Sequence, residues 1–247
     1  MKIILAILLF ATFFVGCFFN SDSPADNNAK PKLIGKYELE IPEPSGLALD
    51  FDGSLWTVSD KNEHIYHMDS TGNLIDKFDI KIEDLEGITQ IDSFRLAVVS
   101  ESKNLLVIIN KKGEVLAEEK IKFKNKGNSG FEGITWDPDN NLFYVLNEKN
   151  PGVLIMLNEK MELISEYEPD ELKDYSGICY VNNEKRFWIV SDESKKLIIL
   201  DNELRVISEF KFNIPQMEGV AVDLPNNRLY IVSDAAHTLF VYDITKI

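Results

Sequence analysis

One unit is written five times along this chain, and nothing else in the sequence limits the fold as strongly. The copies read SGLALDFDGSLWTVSD (Ser45 to Asp60), EGITQIDSFRLAVVSE (Glu86 to Glu101), EGITWDPDNNLFYVLNE (Glu132 to Glu148), SGICYVNNEKRFWIVSD (Ser176 to Asp192) and EGVAVDLPNNRLYIVSD (Glu218 to Asp234). Their glycines, Gly46, Gly87, Gly133, Gly177 and Gly219, lie 41, 46, 44 and 42 residues apart. Short-strand repeats of about 40 to 45 residues are the mark of β-propeller blades.

Each copy resolves into strands and tight turns. In the first, GLALD ends at the turn pair Asp52-Gly53, LWTVSD follows, then IYHMD, then LIDKFDI beyond STGN. β-branched and aromatic runs bounded by Gly, Asn, Asp and Pro read as strands joined by hairpins, so each blade is a four-stranded antiparallel meander. A blade cannot bury both of its apolar faces alone; neighbours must pack around an axis. After Asp234 the last copy has only TLFVYDI before Ile247, so its outermost strand is missing. KLIGKYELEIP (Lys32 to Pro42) repeats the outer-strand pattern of NLIDKFDIKI, ELISEYEP and RVISEFKFNIP. The expectation is an all-β, five-bladed propeller closed by pairing of the N-terminal strand with the last blade, which removes a free edge.

The domain therefore spans residues 32–247. Ahead of it, Ile3 to Val15 is an apolar run preceded only by Lys2 and followed by Gly16 and Cys17. It is short for a helix crossing about 30 Å of hydrocarbon and fits the apolar region of a signal peptide, residues 1–16. FVGC at Phe14 to Cys17 resembles the bacterial lipobox, which implies cleavage before Cys17 and lipid on it. Phe14 stands where leucine is usual, and an uncleaved membrane anchor is the alternative. Residues 17–31, rich in Asn, Asp, Ser and Pro, read as a flexible tether. The domain is then expected in the bacterial cell envelope, outside the cytoplasm and attached to a membrane through lipid.

The formal charge of −15 argues against nucleic acid and anionic membrane surfaces as partners and favours cations or simple solubility. With Cys17 lipidated, Cys179 is left alone between Ile178 and Tyr180, which reads as a buried small hydrophobe rather than a nucleophile. His64, His67 and His237, in or beside turns and third strands, do not form a histidine triad or zinc pattern. Lysines 120, 122, 124 and 126 read as protection of an outer edge rather than an anion site. Trp56, Phe143, Trp188 and Tyr230 recur at one position of the second strand and read as packing between blades.

The acids are less easily absorbed. From the residue before the glycine to the acid after the second strand is one hairpin, so Glu86 should lie near Glu101, Glu132 near Glu148 and Glu218 near Asp234. One mouth of the channel should carry Glu86, Glu132 and Glu218, ringed by Asp60, Glu101, Glu148, Asp192 and Asp234, with Ser45 and Ser176 replacing glutamate in two blades. Two carboxylates about 6 Å apart repel by roughly 3 kcal/mol at an effective dielectric near 20. Protons, salt bridges, backbone N–H groups or a metal ion must offset this, and oxygen ligands without His or Cys select Ca²⁺. The candidate metal ligands are Glu86, Glu132, Glu218, Glu101 and Glu148. Asp60, Asp192 and Asp234, with short side chains, are expected to cap turns instead.

PSGLALDFDGSLWTVSD followed by HIYHMDSTGNLI resembles the NHL repeat, and the EGI and SGI blade starts with WIVSDE resemble the SdiA-regulated, YjiK-like family of bacterial envelope propellers. The resemblance spans Lys32 to Ile247. It implies the propeller fold and an envelope role; it is similar in fold to esterase-like phytases and calcium-dependent lactonases, the latter mostly six-bladed with asparagines around calcium. Two functions follow: a monomeric envelope-anchored binding or scaffold propeller for a small molecule or envelope protein, with a cation at the mouth, or a Ca²⁺-dependent hydrolase of ester, lactone or phosphoester substrates. Binding ranks first, because no unique base or nucleophile accompanies the glutamates.

Overall fold

Twenty strands account for the architecture in the computed structural model, which describes residues 30–123, 130–149, 152–168 and 172–247. Blade one is β2 (Pro44–Leu49), β3 (Leu55–Ser59), β4 (His64–Met68) and β5 (Leu74–Asp79). Blade two runs from β6 (Leu85–Gln90) to β9 (Val115–Lys120), blade three from β10 (Phe131–Asp137) to β13 (Leu163–Tyr167), and blade four from β14 (Gly177–Val181) to β17 (Val206–Lys211). Each is a separate four-stranded sheet in sequence order.

The fifth sheet has the order β1-β20-β19-β18. Its strands are β18 (Met217–Asp223), β19 (Arg228–Ser233), β20 (Thr238–Asp243) and, as the outermost, β1 (Lys32–Glu38). Lys32 pairs with Asp243 and Glu38 with Thr238, antiparallel. The expected exchange between the chain ends is how the ring closes. Without it, β20 would present unpaired backbone groups to solvent.

Burial follows strand order. The second and third strands are almost wholly buried, while the fourth strands show runs such as eeeeie in β5, exposed on both sides. The core is divided into five apolar clusters, one at each junction between neighbouring blades. Trp56, Phe143, Trp188 and Tyr230, all at most 3% exposed, belong to these junctions, as their repetition predicts.

The repeat glycines serve the axis. A Cβ on Gly46 would lie 2.9 Å from the Gly87 Cα, one on Gly87 2.9 Å from the Gly133 Cα, one on Gly177 3.1 Å from the Gly219 Cα, and one on Gly219 2.5 Å from the Gly46 carbonyl carbon. Adjacent inner strands thus touch backbone to backbone, and only glycine allows that approach. The ring of glycines forms a waist with one cavity on either side of it.

Candidate functional site

The first strands set the aim of the acids. Opposite the second strand, their register shifts between Leu85 and Gly87, between Phe131 and Gly133, and between Met217 and Gly219. The residue bulged out is Glu86, Glu132 or Glu218, and a bulge re-aims the side chain it carries. All three glutamates line one cavity of about 320 Å³ on the axis, with Asp60, Glu148, Asp174, Asp192 and Asp234 around them.

Two sets of three carboxylates each join lining residues of this mouth to an acid beside it, Glu101 in one and Asp84 in the other. Oxygens of Glu101, Glu132 and Glu148 lie within 4.8 Å of one another, and so do those of Asp60, Asp84 and Glu86. Glu218 belongs to neither set among the described residues; the acids that act on it most strongly are Asp192 and then Asp234. The sequence places each glutamate beside the acid of its own blade. In the structure Glu132 stands between Glu101 of the preceding blade and its own Glu148, while Glu86 meets Asp60 of the preceding blade.

Asp60 is accordingly not a turn cap. It shares the three-acid set with Asp84 and Glu86, and burial together with the Asp84 charge raises its pKa. Asp192 behaves more as expected, accepting a hydrogen bond from the Met217 amide at 3.3 Å and an ion pair from Lys195 at 2.5 Å. Asp234 is pushed up by burial and by Glu43.

Few cations offset this charge. Lys149 bridges Glu148 at 2.6 Å and Glu193 at 3.2 Å. Glu86, 7% exposed, accepts the Ser45 hydroxyl at 2.7 Å. Burial, reinforced by neighbouring carboxylates, raises Glu86 and Glu132 well above the usual range, Glu218 to about 8 and Glu101 to about 7. Without a bound cation, burial and the neighbouring charges favour protons on these carboxyls.

Sequence reasoning missed the position two residues before each glutamate or serine. There Glu43, Asp84, Asp174 and Gln216 recur, with Gly130 in the third blade. Buried Asp174 accepts the Ser176 hydroxyl at 3.2 Å and the Asp192 and Glu193 amides at 3.1 Å, as well as the Ser191 hydroxyl. The recurrence of polar side chains at this offset was the available signal.

Cys17 and the segment before it lie outside the described residues. Cys179, the free cysteine among the described residues, is pushed up to about 11 by burial, which suits a packing role. His67 does meet two acids, Asp50 and Asp52, within 4.8 Å. Their donors and acceptors are already engaged: Ser54 Oγ lies 2.6 Å from His67 Nε2, and Asp50 binds Trp56 at 2.7 Å and Lys111 at 2.5 Å.

Residues 42–242 match the family described as SdiA-regulated. Among solved structures, the glutaminyl cyclase of Myxococcus xanthus is similar at 12% identity with a TM-score of 0.68, covering 86% of this chain and 95% of that one. A protein of unknown function from Bacteroides caccae is similar at 13% identity and TM-score 0.55, covering 77% and 70%. Hydrazine synthase of Kuenenia stuttgartiensis is similar at 14% identity and TM-score 0.54, with 78% of this chain aligned to 56% of that one. At these identities the likeness is one of fold.

Proposed function

The chain belongs to the SdiA-regulated family of β-propellers, and for this member we propose an envelope-anchored binding protein that holds Ca²⁺ at its acidic mouth. The observation that carries this reading is the set Glu101, Glu132 and Glu148, whose oxygens lie within 4.8 Å of one another. Two oxygens each about 2.4 Å from one ion are at most about 4.8 Å apart, so the spacing fits the Ca²⁺ ligand distance. Oxygen donors alone suit Ca²⁺ rather than zinc or copper. Glu86 and Glu218 supply further negative charge around the same cavity. The lipid on Cys17 would tie the domain to a membrane, and the ion would orient a small molecule or an envelope protein at the mouth of a monomeric propeller.

Titration calorimetry of chelator-treated protein with Ca²⁺ tests the reading. Calcium at roughly 100 times its dissociation constant should stabilise the fold by about 2.7 kcal/mol, because the unfolded chain has no preformed site. Glu132→Gln should shrink that gain and Asp192→Asn should leave it. A flat titration, with melting indifferent to calcium, overturns the site.

A second reading, Ca²⁺-dependent hydrolysis of an ester, lactone or phosphoester, draws on one observation. Glu218, raised to about 8 by burial, lines the same cavity but lies outside the Glu101, Glu132 and Glu148 set, and is left to act as a general acid or base. Calcium-dependent turnover of a panel of such substrates, lost in Glu132→Gln, would put this reading first.

A further inference from the structure

Beyond the glycine waist the axis opens into a second cavity, of about 560 Å³, unrelated to the acidic mouth. Turn residues Phe51, Pro138, Asn182 and Pro225 stand at its rim, so it faces the opposite end of the ring. Its size falls within the ~300–1,000 Å³ of small-molecule sites.

The repeat itself marks this cavity as more than leftover space. One residue after each ring glycine the blades carry Leu47, Ile88, Ile134, Ile178 and Val220, all at most 4% exposed. Uniform aliphatics are what junction packing requires. Three residues after the glycine they carry Leu49, Gln90, Trp136, Tyr180 and Val222, and all five line the cavity. Packing that had only to close a ring would repeat here as it does two residues earlier.

Trp136 and Tyr180 come from adjacent blades and are held from behind. Trp136 packs on Phe143 with ring centroids 4.4 Å apart, and Tyr180 on Phe187 at 4.8 Å. Both residues are only partly buried and line the cavity, so each keeps some surface for a ligand. Charge then selects among ligands. Asp50 is paired with Lys111, but Asp52 and Asp223, also on the lining, have no ion pair among the described residues and take hydrogen bonds from Ser54 and Asn226. Anions are repelled, and a positive group gains both from these carboxylates and from the aromatic faces. A bare metal ion would lose hydration against the apolar walls without enough oxygen ligands in return.

We infer that this cavity binds a small organic cation, an apolar or aromatic body bearing one ammonium group, between Trp136 and Tyr180 and beside Asp223. This site is independent of the calcium reading. The test uses the full chain and benzyltrimethylammonium, with benzyl alcohol, tetramethylammonium and benzoate as comparisons, read by calorimetry. Benzyltrimethylammonium should bind at least tenfold more tightly than each of the three. Trp136→Leu and Asp223→Asn should each weaken it severalfold or more, while Glu132→Gln should leave it within twofold. Because Trp136→Leu could unfold the ring, a second measurement uses the unaltered protein: Trp136 lines this cavity while Trp56 and Trp188 are buried, so saturating probe should change the tryptophan emission. Equal affinity for benzoate, an affinity lost in Glu132→Gln but kept in folded Trp136→Leu, or tryptophan emission unchanged by saturating probe would each overturn the assignment.

Discussion

The hydroxyl of Ser45 reaches across from the first blade to the second, where it lies 2.7 Å from the Glu86 Oε2 and 2.8 Å from the Glu86 carbonyl oxygen. Ser45 occupies the place that Glu132 and Glu218 fill in their blades, so a donor here faces an acceptor instead of a third like charge. It also opposes the burial that raises the Glu86 pKa. Ser45→Ala should therefore cost about 1–3 kcal/mol, the penalty for leaving a buried acceptor without its donor. Urea unfolding in the presence of chelator would measure it. An unchanged midpoint would mean that Glu86 finds water or another donor.

The glycine waist makes a sharper demand. A Cβ at Gly219 would sit 2.5 Å from the Gly46 carbonyl carbon and 2.7 Å from the Leu47 amide nitrogen, both backbone atoms of the neighbouring blade. Neither can rotate away. Gly219→Ala should lower stability by about 3 kcal/mol, the upper end for overpacking. Gly53 is the control: its φ is +88 but nothing lies within 4 Å of its would-be Cβ. Gly53→Ala should cost only the left-handed backbone penalty of about 1–2 kcal/mol. Thermal melts of the two variants side by side should rank them in that order.

These two residues also show what the sequence made readable. The ring glycines and the LI-type starts of the outer strands recur once per blade, and from recurrence alone came the number of blades and the pairing of Lys32 to Glu38 with the last one. A repeat reports what every blade shares. It does not report a bulge, which depends on how the strand meets its partner, so the placing of Glu86 beside Asp60 of the preceding blade was hidden. Asp84 and Asp174 were overlooked because they precede the glycine motif by three residues and look like linker. The varied residues Leu49, Gln90, Trp136, Tyr180 and Val222 were visible, but only the structure shows that they share one cavity.

Protons in the acidic mouth give a pH dependence with a definite sign. Glu101 is raised to about 7 and Glu218 to about 8 from an ordinary value of 4.5, so between roughly 4.5 and 8 the folded chain binds more protons than the unfolded one. Stability contributed by these groups is fully present below their unfolded pKa and is lost as pH rises through 7 to 8. Within that window, in chelator, the unfolding free energy should fall by up to about 1.4 kcal/mol per pH unit for each such group. Saturating calcium should flatten the slope, since the ion replaces the protons. Stability that instead rose from pH 5 to 8 in chelator would show that the acids of the mouth are ionised in the folded protein.

The anchor proposal rests on Cys17 in FVGC. Mass spectrometry of protein from its native membranes should find a chain beginning at a lipid-modified Cys17, and Cys17→Ala should retain residues 1–16. An unmodified Cys17 with those residues still attached would favour the uncleaved membrane anchor.

Closure of the ring carries the last prediction. β1 covers β20 through pairs from Lys32 with Asp243 to Glu38 with Thr238, and β20 contributes Leu239, Phe240, Val241 and Tyr242, none more than 8% exposed. A chain starting at Ser45 loses β1 together with buried Leu39 and Ile41. Burying a leucine or isoleucine side chain is worth about 1.5–3 kcal/mol, so these two alone approach the ~5–15 kcal/mol stability of a whole domain. The backbone edge of β20, freshly exposed beside an apolar surface, would then offer a template for pairing with another chain. Compared with a chain starting at Lys32, the shorter one should melt at a lower temperature or aggregate on size-exclusion chromatography. Addition of a synthetic peptide covering residues 32–42 should recover part of the lost stability, because the strand pairs in the ring without being its source of connectivity. A monomer that begins at Ser45 and melts at the same temperature as the longer chain would mean that three strands suffice to finish the fifth blade.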